Sequence, residues 1–303
     1  MVYIKLYSLL IFSCFSCLSF SGVDRVDGTN VYMDPPERFF PSNKISGFYR
    51  EDIKSSIIVT QFNTPVVQLW PMMKRESLSG NGKIFIESRS PVVSGFTAKF
   101  AKIKHTIDGV EFYKFLLLFG GSEKSVFISG SIPVSVGLVV ERAVIRSMFS
   151  VNFEEELDPD IFEGLGFTIG ESKNLKYYQN IHKTVFWKSL SWGNFEPMFI
   201  AGFQPVSSIY CGENIPLKRF RPIIKNVVNI KIIESGLVVV DGISFSEIVS
   251  SGFSNDDSVS VVMYQAAVQL GSECLVVKGI VDKKYADIYV NEFKDLLRGT
   301  TIK

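Results

Sequence analysis

The chain contains an internal repeat, and this feature constrains its fold more than any other. Three stretches recur in the same order: residues 77–91 resemble 189–205, residues 107–112 resemble 240–245, and residues 119–132 resemble 270–281. Three ordered matches separated only by insertions indicate a duplicated domain. At 303 residues the chain is long enough for two domains that each bury a core. We therefore predict a signal peptide at 1–21, an N-terminal arm at 22–55, repeat domain 1 at 56–152, an acidic linker at 153–164 and repeat domain 2 at 165–303.

The N-terminus has the pattern of an export signal. Lys5 supplies a positive charge, residues 6–20 are uncharged and apolar, and Ser19 and Ser21 form a small-x-small cleavage site before Gly22. This pattern predicts a periplasmic or secreted protein that is soluble once the leader is removed. Two alternatives stay open: an uncleaved membrane anchor, because about 20 apolar residues also span a bilayer, and lipidation at a cysteine, Cys14 or Cys17.

The charges of the chain are balanced. Lysine and arginine total 32 and aspartate and glutamate total 31, which gives a net charge of +1. A protein without a strong net charge has no long-range field that attracts a polyanion. We therefore expect protein partners in the envelope or outside the cell, no nucleic acid, and membrane contact only through the N-terminal segment.

Strand signals dominate both repeats, and each repeat closes with a helical pattern. Apolar residues at spacings of three and four predict a helix around residues 140–151 and another around residues 285–297. A further helix is predicted to begin near Pro216. The predicted fold class is α+β, with two tandem repeats that each pack helices on an antiparallel β-sheet in a sandwich-like arrangement. Within the last helix, Phe293 is expected to be buried against the strand at 264–268, and Lys294 is expected to face outward.

The second repeat resembles the PsbP, DcrB and Mog-type family of small α/β/α sandwich domains. The resemblance is carried by the opening residues 165–169, the strand at 198–203, the strand end at 240–242, the strand at 264–266 with the turn at Gly271, and the final helix. It implies a non-catalytic accessory or assembly role in a cell envelope, without any catalytic residue to transfer. Two such domains in one chain depart from the family pattern, so the resemblance implies no specific partner.

The only cysteines after the leader are Cys211 and Cys274. In an oxidising compartment the two would pair as a disulfide. The alternative is that Cys274, which lies in an apolar run, is a buried thiol that packs as a small hydrophobic residue.

The sequence does not assemble residues for catalysis or metal binding. The two histidines, His105 and His182, occupy non-equivalent places in the repeats, and no nucleophile elbow accompanies either of them. The glycines of 164–170 follow an acidic segment rather than a strand, which is unsuitable for a phosphate loop. We therefore predict no catalytic residue, no cofactor and no metal ligand.

The best candidate binding patch is a basic group, which consists of Lys218, Arg219, Arg221 and Lys225. Its arginines would pair with carboxylates or lipid phosphates, and the alternative is that it forms the solvent face of an amphipathic helix. The function predicted from these features is a non-enzymatic accessory or scaffold protein that binds other exported proteins. The alternative is a small-molecule or lipid-binding protein with an apolar pocket between sheet and helix, and an enzyme with a site between the domains is a third hypothesis without nominated residues.

Overall fold

The computed structural model describes residues 23–42, 44–181, 183–189, 195–205 and 227–303. Fourteen antiparallel strands form one continuous sheet, and the remaining strands form three small sheets of two or three strands. The predicted leader at 1–21 and the predicted helix near Pro216 lie outside the described residues.

The first half contains twelve strands, of which five are long and seven are short. They are β1 (Asp24–Arg25), β2 (Val31–Met33), β3 (Phe40–Pro41), β4 (Gly47–Arg50), β5 (Ser55–Phe62), β6 (Lys83–Arg89), β7 (Val92–Val93), β8 (Phe96–Thr97), β9 (Lys99–Ile107), β10 (Val110–Gly120), β11 (Ser125–Pro133) and β12 (Asn152–Phe153). Its helices are the single turn α1 (Val66–Leu69), which continues as a 3₁₀ turn at Trp70–Met73, and α2 (Leu138–Phe149), which follows a 3₁₀ turn at Val134–Val136.

The second half has the longest strands of the molecule. Its described strands are β13 (Phe167–Thr168), β14 (Lys176–Ile181), β15 (Thr184–Lys188), β16 (Met198–Pro205), β17 (Val227–Val240), β18 (Ile243–Ser254), β19 (Val259–Leu270), β20 (Glu273–Asp282) and β21 (Thr301–Ile302). A 3₁₀ turn at Lys283–Tyr285 leads into α3 (Ala286–Arg298).

The strand order of the large sheet is repeated. In the first half the order is β5-β11-β10-β9-β6, and in the second half it is β16-β20-β19-β18-β17. Counted along the chain, both follow the order first, fifth, fourth, third, second. Each half adds a short meander before its first long strand, β3-β4-β5 and β14-β15-β16. The halves join where Gln179 of β14 pairs with Phe62 of β5.

The prediction of an α+β class is wrong. Strands account for 52% of the described residues and helical residues for 15%, so this part of the chain is mostly β and is not an α/β/α sandwich. The physical reason is that the segments before each of the two helices form long antiparallel hairpins, whose backbone groups are satisfied by neighbouring strands rather than within helices. The halves also share one sheet, because Phe62 at the end of β5 pairs with Gln179 of β14.

The predicted N-terminal arm at 22–55 contributes strands over its described residues, 23–42 and 44–55. β4 pairs with β5 over four residue pairs, and β2 pairs with β12, which follows α2. Val31, Met33 and Phe48 are buried in the same apolar cluster as the strands of the first half. In the second half β13 and β21 make the corresponding pair around α3.

The prediction for Phe293 is confirmed. Its ring is fully buried, 6.2 Å from the ring of Tyr264 and 5.7 Å from that of Phe199 between centroids. The neighbouring Lys294 differs from the prediction, because its side chain is only 13% exposed and donates to both carboxylate oxygens of Glu234 at 2.9 Å. Lys294 is covered because β17 is long enough to place Glu234 beside α3.

Candidate protein-binding surface

The hairpin of β3 and β4 exposes two aromatic side chains. Phe40 and Tyr49 stand directly opposite each other in the register of the hairpin, and they are 67% and 37% exposed. Successive strand residues point to opposite sides, so Phe48 turns into the core instead and is buried. The hairpin is thus anchored through one ring and presents two others to solvent.

A concave surface, which encloses a volume of about 910 Å³, lies on the exposed side of this hairpin. Its lining combines the two aromatic rings with charged residues: Arg38, Phe40, Pro41, Ser42, Lys44, Tyr49, Arg50, Glu51 and Asp52. The Arg50 guanidinium donates from Nε and Nη2 to the two carboxylate oxygens of Asp52, at 2.9 and 3.0 Å. This hydrogen bonding holds the pKa of Asp52 below its ordinary value. The Arg38 side chain is 68% exposed, and its ion pair among the described residues is a 4.0 Å contact with Glu37, so the guanidinium is accessible to another anion.

A second concave surface of about 910 Å³ lies where the two halves meet. It is lined by Lys44, Gly164, Leu165, Gly166, Lys183, Thr184, Phe203, Leu270, Ser272, Glu273, Ile302 and Lys303. The Lys183 ammonium donates to the carbonyl oxygen of Gly164 at 3.0 Å. Burial lowers the pKa of Lys183, and Asp27 and Glu273 oppose that shift. The Phe203 ring is fixed by an edge contact with Phe167, at 5.6 Å between centroids.

Lys44 lines both concave surfaces, so the two are neighbours on either side of the turn after β3. Together they form what we call the hairpin surface. It carries five basic residues, Arg38, Lys44, Arg50, Lys183 and Lys303, and three acidic residues, Glu51, Asp52 and Glu273. The lining residues therefore have a basic excess of two around exposed rings, and the carboxylates of Glu37 and Asp27 act on Arg38 and Lys183 from beside the surface.

Polar contacts tie the entry of the second half to the first half beside this surface. Arg25 forms an ion pair with Glu163, and the backbone N–H of Gly28 donates to the same carboxylate at 3.2 Å. Lys124 donates to Asp158 at 2.8 Å and to the carbonyl oxygen of Leu157 at 2.8 Å. The acidic segment at 153–164 is therefore held by cations of the first half.

The structure describes few of the site residues nominated from the sequence. Cys211 and the basic patch of Lys218, Arg219, Arg221 and Lys225 lie outside the described residues. Cys274 is fully buried on β20 and is disulfide-bonded. Its pairing with Cys211 stays a prediction, because no other described residue is a cysteine.

Sequence reasoning missed the hairpin surface. In the sequence, Gly164 and Gly166 are considered only as part of a phosphate loop, and in the structure they line the second concave surface. The available signal was Phe40 and Tyr49 within a proline-containing polar stretch, where aromatic residues lack the periodicity of a core strand. Within the part of the chain that the structure describes, no group of three or more metal-ligating residues could hold an ion, and no helix is long and apolar enough to cross a membrane.

No family model matches the chain, and no curated protein matches it. Among solved structures it is similar to the immunity protein TplEi of T6SS from Pseudomonas aeruginosa, with a TM-score of 0.33, 8% identity, and coverage of 90% of this chain and 95% of that one. A chain of the Tle4–Tli4 complex has a TM-score of 0.33 and 9% identity, with coverage of 91% of this chain and 98% of that one. A protein from Bacteroides thetaiotaomicron has a TM-score of 0.31 and 11% identity, with coverage of 52% of each chain. TM-scores of this size do not establish a common fold, so the function proposed below rests on this chain's own surfaces.

Proposed function

We propose that this protein is a non-enzymatic accessory protein that binds an acidic partner protein on the hairpin surface. The observation that carries the proposal is the exposed pair Phe40 and Tyr49, set beside Arg38 and Arg50 above a concave surface of about 910 Å³. Aromatic residues and arginine are the types that contribute most binding energy at protein interfaces. The Phe40 ring is 67% exposed on a hairpin that Phe48 anchors in the core. Because the hairpin is already ordered, binding a partner there loses little conformational entropy.

The charges on the hairpin surface support a partner with exposed carboxylates. Asp52 is already paired with Arg50, whereas the ion pair of Arg38 among the described residues is a solvated 4.0 Å contact with Glu37. Basic residues in excess on one surface increase the rate of encounter with an acidic one, and this effect weakens with salt. Together with the leader pattern at 1–21, these features support binding in the envelope or outside the cell.

Capture experiments with matched variants test this function. The wild-type protein, Phe40→Ala and Val139→Ala are used to capture proteins from the native envelope, and captured partners are quantified by mass spectrometry. Val139 is a suitable control, since it is 83% exposed on α2 and lines neither concave surface. We expect the specific partner to remain with Val139→Ala and to fall about tenfold or more with Phe40→Ala, the loss typical of an interface hot spot. Equal capture by Phe40→Ala and the wild type would contradict the proposal.

The alternative function, an apolar ligand pocket between sheet and helix, is not favoured by the packing of either main helix. A Cβ atom added at Gly279 would lie 2.3 Å from the Phe293 ring. A Cβ atom added at Gly130 would lie 2.8 Å from Val144 and 3.0 Å from the sulfur of Met148. The helices α2 and α3 therefore contact the sheet directly at these points, which leaves no room for a ligand.

A further inference from the structure

Three basic side chains share one face of the sheet near the outer edge of the first half. Lys83 of β6 pairs directly with His105 of β9, and His105 pairs directly with Phe112 of β10. Lys114 lies two residues further along β10 and pairs with Ile103. Because residues directly opposite each other, and residues two apart on one strand, share a face, Lys83, His105 and Lys114 project from the same side.

We call these three residues the basic triad, and none of them has an acidic partner among the described residues. The charged groups that act on His105 are Lys114 and Lys83, and the charged group that acts on Lys114 is Lys83. Among the described residues, none forms an ion pair with a member of the triad at 4.0 Å or less. Like charges at neighbouring positions of a sheet are destabilising. The triad therefore carries an unfavourable electrostatic energy in the free protein.

The opposite face of the same strands is arranged differently. Lys102 of β9 donates to Glu141 of α2 at 2.6 Å, and Lys104 of β9 pairs with Glu111 of β10 at 2.7 Å. These two lysines alternate with the triad residues along the strands and are neutralised by carboxylates. The absence of a counter-charge is therefore a property of one face rather than of the whole edge.

The triad is partly buried, and the backbone around it is held by hydrogen bonds. Burial and Lys83 lower the pKa of Lys114, and burial with both lysines lowers the pKa of His105. The Nδ1 atom of His105 is buried without a hydrogen-bond partner. The backbone of Lys83 exchanges hydrogen bonds with Gly80 at 3.0 and 3.1 Å, and Thr106 N–H donates to Gly82 at 3.1 Å. The neighbouring loop thus holds β6 in register with β9.

We propose that Lys83, His105 and Lys114 form a binding site for a dianionic oxyanion, the phosphate group of a soluble phosphate compound or of a lipid headgroup. Two ammonium groups match the charge of a phosphate dianion, and lysine is a common phosphate ligand. The imidazole supplies an N–H donor to a third oxygen. Bound phosphate would remove the repulsion within the triad. This site lies apart from the hairpin surface and does not depend on the proposed function.

Phosphate titration of the full protein tests the site. Sodium phosphate is added at constant ionic strength against sodium chloride, and the ring signals of His105 are followed by NMR as a function of pH. We expect phosphate to raise the pKa of His105, because an adjacent anion favours the protonated imidazole. Phosphate should also raise the melting temperature relative to chloride, because a ligand that binds only the folded state stabilises it.

Matched lysine variants keep the test specific. Lys114→Gln removes a charge of the triad without breaking an ion pair, so the variant is expected to fold, and melting in chloride verifies this. The control is Lys173→Gln, an exposed lysine of the second half. In Lys173→Gln both phosphate effects should equal those of the wild type. In Lys114→Gln the change in the pKa of His105 should be lost, and the rise in melting temperature should fall to the general effect of a kosmotropic salt. If Lys114→Gln keeps both effects at the size seen in the wild type, the inference is wrong. If the wild type shows neither effect, a soluble phosphate compound is excluded, and the vesicle experiment decides between a lipid headgroup and failure of the proposal.

A vesicle experiment distinguishes the two sources of the phosphate. Co-sedimentation is compared for phosphatidylcholine vesicles with and without phosphatidic acid, again with the wild type and the two lysine variants. Binding that requires phosphatidic acid and Lys114 assigns the site to a lipid headgroup. A response to inorganic phosphate alone assigns it to a soluble phosphate compound. Failure with both probes overturns the proposal and leaves the function of the hairpin surface untouched.

Discussion

The two halves solve the same packing problem with different side chains. In the first half Gly130 of β11 pairs with Phe115, and in the second half Gly279 of β20 pairs with Tyr264. The helix that follows sets a side chain on each glycine: Val144 of α2 on Gly130, and Phe293 of α3 on Gly279. Val144 and Phe293 follow their glycines by the same number of residues. The same architecture therefore accepts an aliphatic or an aromatic side chain from the helix, provided that the strand residue beneath it is a glycine.

The aromatic rings are distributed differently as a result. In the second half the Phe293 ring lies among those of Phe199, Tyr264 and Tyr289, with centroids 5.7 to 6.3 Å apart. In the first half the smaller Val144 is accompanied by Met148, and a flexible methionine fills irregular gaps. We expect the contact between helix and sheet to be more rigid in the second half.

The outer edges of the halves also differ. Lys114 pairs with Ile103 in the first half, and the corresponding pair in the second half is Met263 and Ser250. The position of His105 corresponds to Gly252. The basic triad is thus absent from the equivalent positions of the second half, so oxyanion binding at this register is expected in the first half alone.

The largest effect is expected from removing the aromatic contact. Phe293→Ala leaves a cavity among packed rings and should lower the free energy of unfolding by about 3–5 kcal/mol, as measured by urea denaturation. Ile288→Ala is the control, because Ile288 is exposed on the same helix. It should change the free energy of unfolding by less than about 0.5 kcal/mol. Equal losses for the two variants would contradict the assigned face of α3.

The next effect concerns the two glycines. Gly279→Ala would bring a methyl group to within 2.3–2.6 Å of three ring carbons of Phe293, whereas Gly130→Ala would meet a valine methyl and a flexible methionine at 2.8 and 3.0 Å. We expect losses of about 3 kcal/mol and about 1 kcal/mol, the range of overpacked cores, measured from urea unfolding curves. In a Phe293→Ala background the cost of Gly279→Ala should shrink, because the clashing ring is gone. A larger loss for Gly130→Ala would reverse the comparison of the two contacts.

A smaller effect is expected from the aliphatic contact. Val144 is fully buried, and Val144→Ala removes two methyl groups from it. The loss should be about 2 kcal/mol, because each buried methyl contributes about 0.8 kcal/mol and Met148 can move into the space. The melting temperature should therefore fall less than it does for Phe293→Ala. A fall as large as that of Phe293→Ala would mean that the two helices are packed with equal rigidity.

The smallest effect is a pH dependence confined to the first half. The pKa of His105 lies below its ordinary value of 6.5 because of burial and of the nearby charges of Lys114 and Lys83. Between the folded pKa and 6.5 the unfolded chain binds more protons, so this contribution to stability is complete above pH 6.5 and is lost as the pH falls through the folded value. Lys114→Gln should raise the pKa of His105 and flatten the pH dependence. NMR titration measures the pKa, and an unchanged value in Lys114→Gln would contradict the coupling.

Local elements of this protein could be predicted from the sequence. The 3.6-residue periodicity located α2 and α3 and placed Phe293 on the buried face, because helix hydrogen bonds are made within one segment. The repeat was also visible, although only its third match aligns equivalent strands: the turns at Gly120–Gly121 and Gly271 both precede the last long strand. The Asp108–Gly109 turn joins β9 to β10, whereas Asp241–Gly242 joins β17 to β18. The same turn residues suit any tight hairpin, so they marked hairpins without identifying which one.

The long-range arrangement was decided only by the tertiary structure. Nothing in the local pattern of 23–55 predicted that β4 would pair with β5, or that Lys44 would meet Lys183 and Phe203 around one concave surface. The single pair between Gln179 and Phe62 joins two seven-stranded halves into one sheet. Strand pairing uses backbone groups that every residue carries, so the sequence pattern identifies a strand by its buried face and does not identify its neighbour. The choice of neighbour depends on how distant apolar faces pack together, and that packing exists only in the folded protein.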